Sequence, residues 1–116
     1  MKVSVTKVFT FDAAHQLPWH EGKCKNLHGH TYRLEVTVTG PIDGHGIVID
    51  FDDVSRIVKA TVIERYDHSY LNEQFENPTA EILAMEFAKQ LEAESLNVTK
   101  LTLWETPTGS ATVEAS

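Results

Sequence analysis

The sequence predicts an α+β domain with the element order β-β-α-α-β-β, and three observations carry that prediction. Two N-terminal stretches alternate apolar and polar residues, two central stretches place apolar residues at helical spacing, and the C-terminal stretch returns to alternation. A period of two buries one face of a strand and a period near 3.6 buries one stripe of a helix. The change of period therefore marks the change of element.

Residues 2–11 carry Val3, Val5, Phe9 and Phe11 on one parity, with Lys7 interrupting them, as in a half-buried strand. Residues 31–39 alternate more cleanly: Tyr32, Leu34, Val36 and Val38 face one way, Arg33, Glu35 and Thr37 the other. A polar loop, residues 16–27, joins the two strands and contains Pro18 and Gly22. After the turn Asp43-Gly44-His45-Gly46, residues Val54, Ile57, Val58, Thr61 and Val62 follow helical spacing, with Asp50 or Asp52 as the N-cap. Asp50-Phe51-Asp52-Asp53 reads as that helix start rather than as a metal site, since negative charge favours a helix N-terminus.

A second helix is expected from Asn77-Pro78-Thr79, with Asn77 capping and Pro78 in the first turn. Ala80, Leu83, Ala84, Phe87, Ala88 and Leu91 form its buried stripe. Residues 98–105 and 111–114 read as a closing hairpin around Thr108-Gly109-Ser110.

A length of 116 residues suits one domain, 1–116, and a domain that small gains from oligomerisation. A net charge of −7 with scattered Lys and Arg argues against a general nucleic-acid binder. An anionic substrate would need a local basic patch or a metal. No stretch is apolar enough to span a membrane, and the opening residues lack the apolar run of a signal peptide. The single cysteine excludes an internal disulfide, so the expected location is the cytoplasm.

The strongest chemical signal is Cys24-Lys25-Asn26-Leu27-His28-Gly29-His30. Residues two apart on a strand share a face, so His28 and His30 present their rings together, at the parity of Tyr32 and Leu34. His15 shares the parity of Phe9 and Phe11 on the neighbouring strand if no bulge intervenes. Three neutral imidazoles fit zinc with an open fourth position. The bland reading is histidines that merely cap a strand.

Cys24 has three readings: an inert thiol, a fourth metal ligand that closes the site, or an activated base or nucleophile. Asp67-His68 is either an acid–base pair, given a turn that brings the two together, or a decorated helix C-terminus. Glu105 continues the parity of Leu101 and Leu103. A carboxylate on an apolar face must be paired, neutralised or kept for a ligand with two parallel N–H donors, unless it is simply exposed at the strand end.

Together these residues resemble the 6-pyruvoyltetrahydropterin synthase family. The likeness covers nearly the whole chain: Phe11-Asp12-Ala13-Ala14-His15, Cys24 followed by His28-Gly29-His30 and Tyr32, Val48-Ile49-Asp50-Phe51, Asp67-His68, Asn77-Pro78-Thr79-Ala80-Glu81 and Trp104-Glu105-Thr106. Tyr66 departs from it, standing where Leu is usual. The three residues between Cys24 and His28 are similar to the bacterial branch that makes 6-carboxy-5,6,7,8-tetrahydropterin for queuosine (7-deazapurine) synthesis.

The resemblance implies a tunnelling fold (T-fold), an antiparallel sheet with two helices on one face. Subunits of a homo-oligomer would join their sheets into a barrel with active sites between them. It implies 7,8-dihydroneopterin triphosphate as substrate, with acetaldehyde and triphosphate as further products. His15, His28 and His30 would hold Zn2+, Cys24 would remove a side-chain proton, Asp67 and His68 would shuttle protons, and Glu105 would orient the pterin. Lys23, Lys25 and Arg33 are triphosphate candidates by proximity. Two rivals stand beside this reading: a pyruvoyl-forming synthase on the same substrate, and a non-catalytic zinc module in which Cys24 closes a structural site.

Overall fold

Alternation of apolar and polar residues runs well past the expected strand ends, and it builds the longest ladder of the fold. In the computed structural model, which describes residues 1–115, β1 (Val3–His15) pairs antiparallel with β2 (His28–Gly40). Their register runs unbroken from Val3↔Gly40 to His15↔His28. The expected strands stopped at residue 11 and began at residue 31. Alternation continues beyond them because Ala13 and His15 also bury on the apolar parity, and His28 and His30 extend it on the partner.

β4 (Val98–Thr106) flanks β2, and β5 (Gly109–Glu114) closes the final hairpin across a turn at Pro107-Thr108. That turn is tighter than expected, since β5 begins at Gly109 rather than at residue 111. On the far edge, β3 (Ser69–Tyr70) pairs parallel with Ala13 and Ala14, giving the order β3-β1-β2-β4-β5. The sheet is therefore mixed, not purely antiparallel. A two-residue strand carries no periodicity, so nothing in the sequence announced it.

Both helical rods pack on one face. Phe9, Phe11, Tyr32, Leu34, Leu101 and Leu103 from the sheet meet Val54, Val58, Val62, Leu83, Phe87 and Leu91 from the helices in one core. Lys7 lies on the buried parity but lifts its ammonium over the Phe51 ring, 5.9 Å from the centroid, which resolves the interruption in β1. The opposite face is polar, with hydroxyl pairs Ser4–Thr39 at 2.7 Å, Thr6–Thr37 at 2.8 Å and Thr102–Thr112 at 2.9 Å.

The first rod starts at α1 (Phe51–Val58), capped by Asp50, whose side chain accepts from the Asp52 N–H. It continues as a π segment (Lys59–Ile63) and a last turn, α2 (Glu64–Tyr66). Val54, Val58, Val62 and Tyr66, four residues apart, are all buried. In a pure α-helix such spacing drifts about 40° per step around the axis. The wider π turn absorbs that drift and keeps Tyr66 on the core. Tyr66 stacks on Phe87 at 5.2 Å between centroids, and its hydroxyl accepts from the Gln90 amide at 2.9 Å.

The second rod, α3 (Ala80–Ala93), is capped by Thr79, whose hydroxyl accepts from the Ile82 N–H at 3.2 Å. Asn77, the expected cap, instead accepts from the Trp19 indole N–H at 2.8 Å. Pro78 accordingly lies before the helix, not in its first turn. Among the described residues no helix is long and apolar enough to cross a membrane.

The corrected cap has a direct test. Thr79→Ala should lower stability in urea unfolding by about 1 kcal/mol, while Asn77→Ala should cost less. The reverse order would return the capping role to Asn77.

Candidate active site and metal centre

The β1–β2 register places His15 directly opposite His28, with His30 one pleat further along the same face. The three rings meet edge to face, with centroids 4.6 Å apart for His15–His28, 5.1 Å for His15–His30 and 4.8 Å for His28–His30. One ligand atom from each lies within 4.8 Å of the others. His15 is fully buried, and the other two are half-buried.

Backbone carbonyls determine what these rings offer. His15 Nδ1 lies 2.9 Å from the carbonyl oxygen of buried Pro78, and His28 Nδ1 lies 2.7 Å from that of Asn26. A carbonyl only accepts, so both Nδ1 atoms carry the proton and both Nε2 atoms expose lone pairs. Those two Nε2 atoms face each other at 3.0 Å. Between neutral rings this is not a hydrogen bond but a repulsion, and a shared cation removes it. His30 Nε2 is buried with no hydrogen-bond partner. Tetrahedral zinc with Zn–N of 2.0–2.1 Å needs nitrogens about 3.3 Å apart, close to the distance here. The donor set fits a nitrogen-seeking divalent metal, with carbonyls orienting the ligands from behind. Burial, ahead of its histidine neighbours, draws the His30 pKa below 6.5 despite the opposing charge of Glu105, which favours the neutral, ligating form.

Glu105 continues the inward parity of Leu101 and Leu103 and reaches the same group. Its Oε1 lies 3.4 Å from His15 Nε2 and 3.7 Å from His30 Nε2. The β4–β5 register shifts between Trp104 and Thr106, so Glu105 falls at the irregularity. Tyr32 sits beneath, its hydroxyl 3.4 Å from His15 Nδ1. Burial, then the Glu105 charge, pushes the Tyr32 pKa up and keeps it a neutral phenol.

Asp67 and His68 form their own group at the β3 edge. The helix ends at Tyr66, Asp67 turns extended, and His68 adopts φ 60°, a left-handed conformation that costs a non-glycine residue about 1–2 kcal/mol. That turn brings His68 Nδ1 within 3.0 Å of Asp67 Oδ2. The Asp12 backbone grips both residues: its N–H donates to Asp67 Oδ1 at 2.9 Å, and its carbonyl accepts from the His68 N–H at 2.5 Å. The Asp12 N–H first, and His68 second, hold the Asp67 carboxyl below its ordinary pKa. Thr31 in turn donates to Asp12 Oδ1 at 2.5 Å. These backbone clamps, like the Pro78 and Asn26 carbonyls, have no sequence signature, because any residue supplies them.

Cys24 lies apart. It is half-buried in a 3-10 turn (Lys23–Lys25), and its carbonyl accepts from the N–H of buried Leu17 at 2.8 Å. Among the described residues the histidine group closes without Cys24. Lys23 and Lys25 are exposed, whereas Arg33 lines a cavity of about 520 Å³ with Trp104, Glu105 and His30. A second cavity of about 450 Å³ is lined by Asp12, His68 and Ser69, and again by His30.

Comparison with known proteins agrees with this architecture. Residues 4–116 match the family model described as 6-pyruvoyl tetrahydropterin synthase. A 6-carboxy-5,6,7,8-tetrahydropterin synthase of Synechocystis is 41% identical over 117 residues, covering 92% of this chain and 89% of that protein. A dihydroneopterin monophosphate aldolase of Pyrococcus furiosus is 35% identical over 108 residues, covering 90% and 91%. Among solved structures, the 6-pyruvoyl tetrahydropterin synthase of Caenorhabditis elegans superposes with a TM-score of 0.88 at 27% identity, covering 100% of this chain and 97% of that one.

The opposed lone pairs predict a metal-dependent stability. Adding Zn2+ to metal-free protein at pH 7 should raise Tm, with a gain of about 2.7 kcal/mol at a free concentration one hundred times Kd. The gain should fade as pH drops through the histidine range, because protons compete for the ring nitrogens. His28→Ala should remove most of it. Calorimetry showing no zinc-dependent shift would refute the metal centre.

Proposed function

Because the chain belongs to the 6-pyruvoyl tetrahydropterin synthase family of enzymes, we propose that it is a zinc-dependent lyase of pterin synthesis. Its substrates are 7,8-dihydroneopterin triphosphate and water and its products are 6-carboxy-5,6,7,8-tetrahydropterin, acetaldehyde and triphosphate, in cytoplasmic queuosine synthesis. The observation that carries the reading is the histidine group, whose two carbonyl-fixed tautomers aim Nε2 lone pairs at one point.

His15, His28 and His30 would hold the zinc, which supplies Lewis-acid polarisation of the substrate's side-chain oxygens when bound. Glu105 offers two carboxylate oxygens to the paired N–H donors of the aminopyrimidinone edge and so fixes the ring. Cys24, as thiolate, takes a proton from the carbon beside the ring. Asp67 holds the Nδ1–H of His68, which leaves Nε2 to exchange protons as triphosphate departs and the carbon chain is cut. Cys24, Asp67 and His68 lie outside the histidine group of their own chain, and a second copy packed against this one would complete the site. Arg33, at the cavity of Glu105, is the better placed of the three triphosphate candidates.

The Pyrococcus relative supports a second reading, an aldolase. Product analysis separates the possibilities by what remains on the ring. The carboxy product retains one side-chain carbon as an acid, an aldolase product retains one as an alcohol, and a pyruvoyl product retains all three. Incubation with 7,8-dihydroneopterin triphosphate, followed by mass analysis, should yield the carboxy product and acetaldehyde, and neither after chelation. Either of the other pterins would reassign the reaction.

Glu105→Gln should keep its zinc but lose on the order of 2–4 kcal/mol of pterin binding, because the amide points an N–H at an N–H. Titration with a non-reacting pterin checks this. Affinity within about threefold of wild type would move the pterin anchor elsewhere.

A further inference from the structure

The 3-10 turn that carries Cys24 has little of its own to hold it. It is three residues long (Lys23–Lys25), none of them is buried, and its N-cap, Gly22, has no side chain to cap it. The bond that opens it, from the Lys25 N–H to the Gly22 carbonyl, is long at 3.4 Å. So short a turn does not persist by itself, because its few hydrogen bonds do not offset the ordering of its backbone.

The preceding chain pins it at two points. The Leu17 N–H holds the Cys24 carbonyl at 2.8 Å, and His20 Nδ1 accepts from the Gly22 N–H at 2.8 Å. The Leu17 carbonyl in turn accepts from the His20 N–H at 2.9 Å, so both anchors hang from one buried residue. A main-chain N–H only donates, so the His20 ring carries its proton on Nε2, the reverse of His15 and His28.

Nδ1 stands at the same place along its side chain as the Oδ1 of aspartate or asparagine, which makes this bond to the second residue on. Asp43 makes it to the His45 N–H and Asp50 to the Asp52 N–H, each at 2.8 Å. The imidazole is broader. A Cβ built on Gly22 would stand 2.9 Å from His20 Cε1 and 3.2 Å from Nδ1, too close for the ring to stay in place. Gly22 itself is extended, at φ −97°, so the ring rather than the backbone requires glycine there.

We propose that His20 is a positioning residue for Cys24. Its Nδ1 lone pair fixes the Gly22 peptide and so the turn from which the thiol projects, and Gly22 leaves room for the ring to do this. The consequence for turnover rests on Cys24 being the base, as read above, whereas the consequence for the thiol does not.

The test uses full-length, zinc-loaded protein and two readouts: the rate of Cys24 alkylation by iodoacetamide, and kcat on 7,8-dihydroneopterin triphosphate. His20→Phe keeps a ring without the acceptor. It should speed alkylation of the half-buried thiol about threefold and lower kcat about tenfold, with KM and zinc content unchanged. His20→Asn restores the acceptor and should leave both rates within about twofold of wild type. Gly22→Ala should behave like His20→Phe in the wild-type background, yet be harmless in the His20→Asn background, a coupling that independent sites do not show. Alkylation unchanged in His20→Phe, His20→Asn as impaired as His20→Phe, or Gly22→Ala equally harmful in both backgrounds would overturn the positioning role. Faster alkylation in His20→Phe with kcat unchanged would leave that role standing and remove Cys24 as the base.

Discussion

The ladder between β1 and β2 keeps one register for thirteen residues of each strand, and the rest of the molecule is arranged around that continuity. Because side-chain direction in a strand has a period of two, one slipped residue anywhere along it would swing His15 away from His28 and His30. The core enforces the register. Phe11 and Tyr32 face each other across the ladder and stack at 5.0 Å, two residues before the histidines begin. The same hydrophobic pairing that makes the sheet stable thus aims the ligands.

Continuity alone leaves the rings free to spin, and the connections remove that freedom. The Pro78 carbonyl comes from the approach to α3, and the Asn26 carbonyl from the end of the loop after β1. Gln16 and Asn72 exchange two hydrogen bonds, at 2.9 and 2.8 Å, where β1 ends, so the chain leaves the histidine with a fixed direction. Asp12 does the equivalent for Asp67 and His68 through its own peptide groups. Main-chain donors and acceptors on rigid elements position the ionisable side chains, an arrangement that avoids burying further charges.

Alternation and helical spacing made the element order readable, and the parity of His15, His28, His30 and Glu105 foretold that all four would turn inward. Parity speaks only of faces, however. It said nothing of which carbonyl would meet which ring, and it could not foresee the left-handed turn at His68 that pairs it with Asp67. The short β3 was invisible because pairing, not patterning, creates it. The extension of the first helical rod to Tyr66 had a trace in the every-fourth spacing of Val54, Val58, Val62 and Tyr66. That pattern fits a helix only when a π turn is admitted. Asn77 misled because the residue types that cap helices also serve as acceptors for distant side chains, here an indole.

That indole belongs to one of two tryptophans in the chain, and neither lies in the core. Trp19 is tethered to Asn77, next to the proline whose carbonyl holds His15. Trp104 lines the Glu105 cavity, its N–H donating to Glu35 at 2.5 Å. The helix–sheet core holds phenylalanine and tyrosine rings but no indole. The tryptophan fluorescence of this molecule therefore originates outside its core. An emission change reports events at the Trp104 cavity and at the Trp19–Asn77 tether, and the packing of the tyrosine-bearing interior has to be followed by other light, such as near-ultraviolet dichroism.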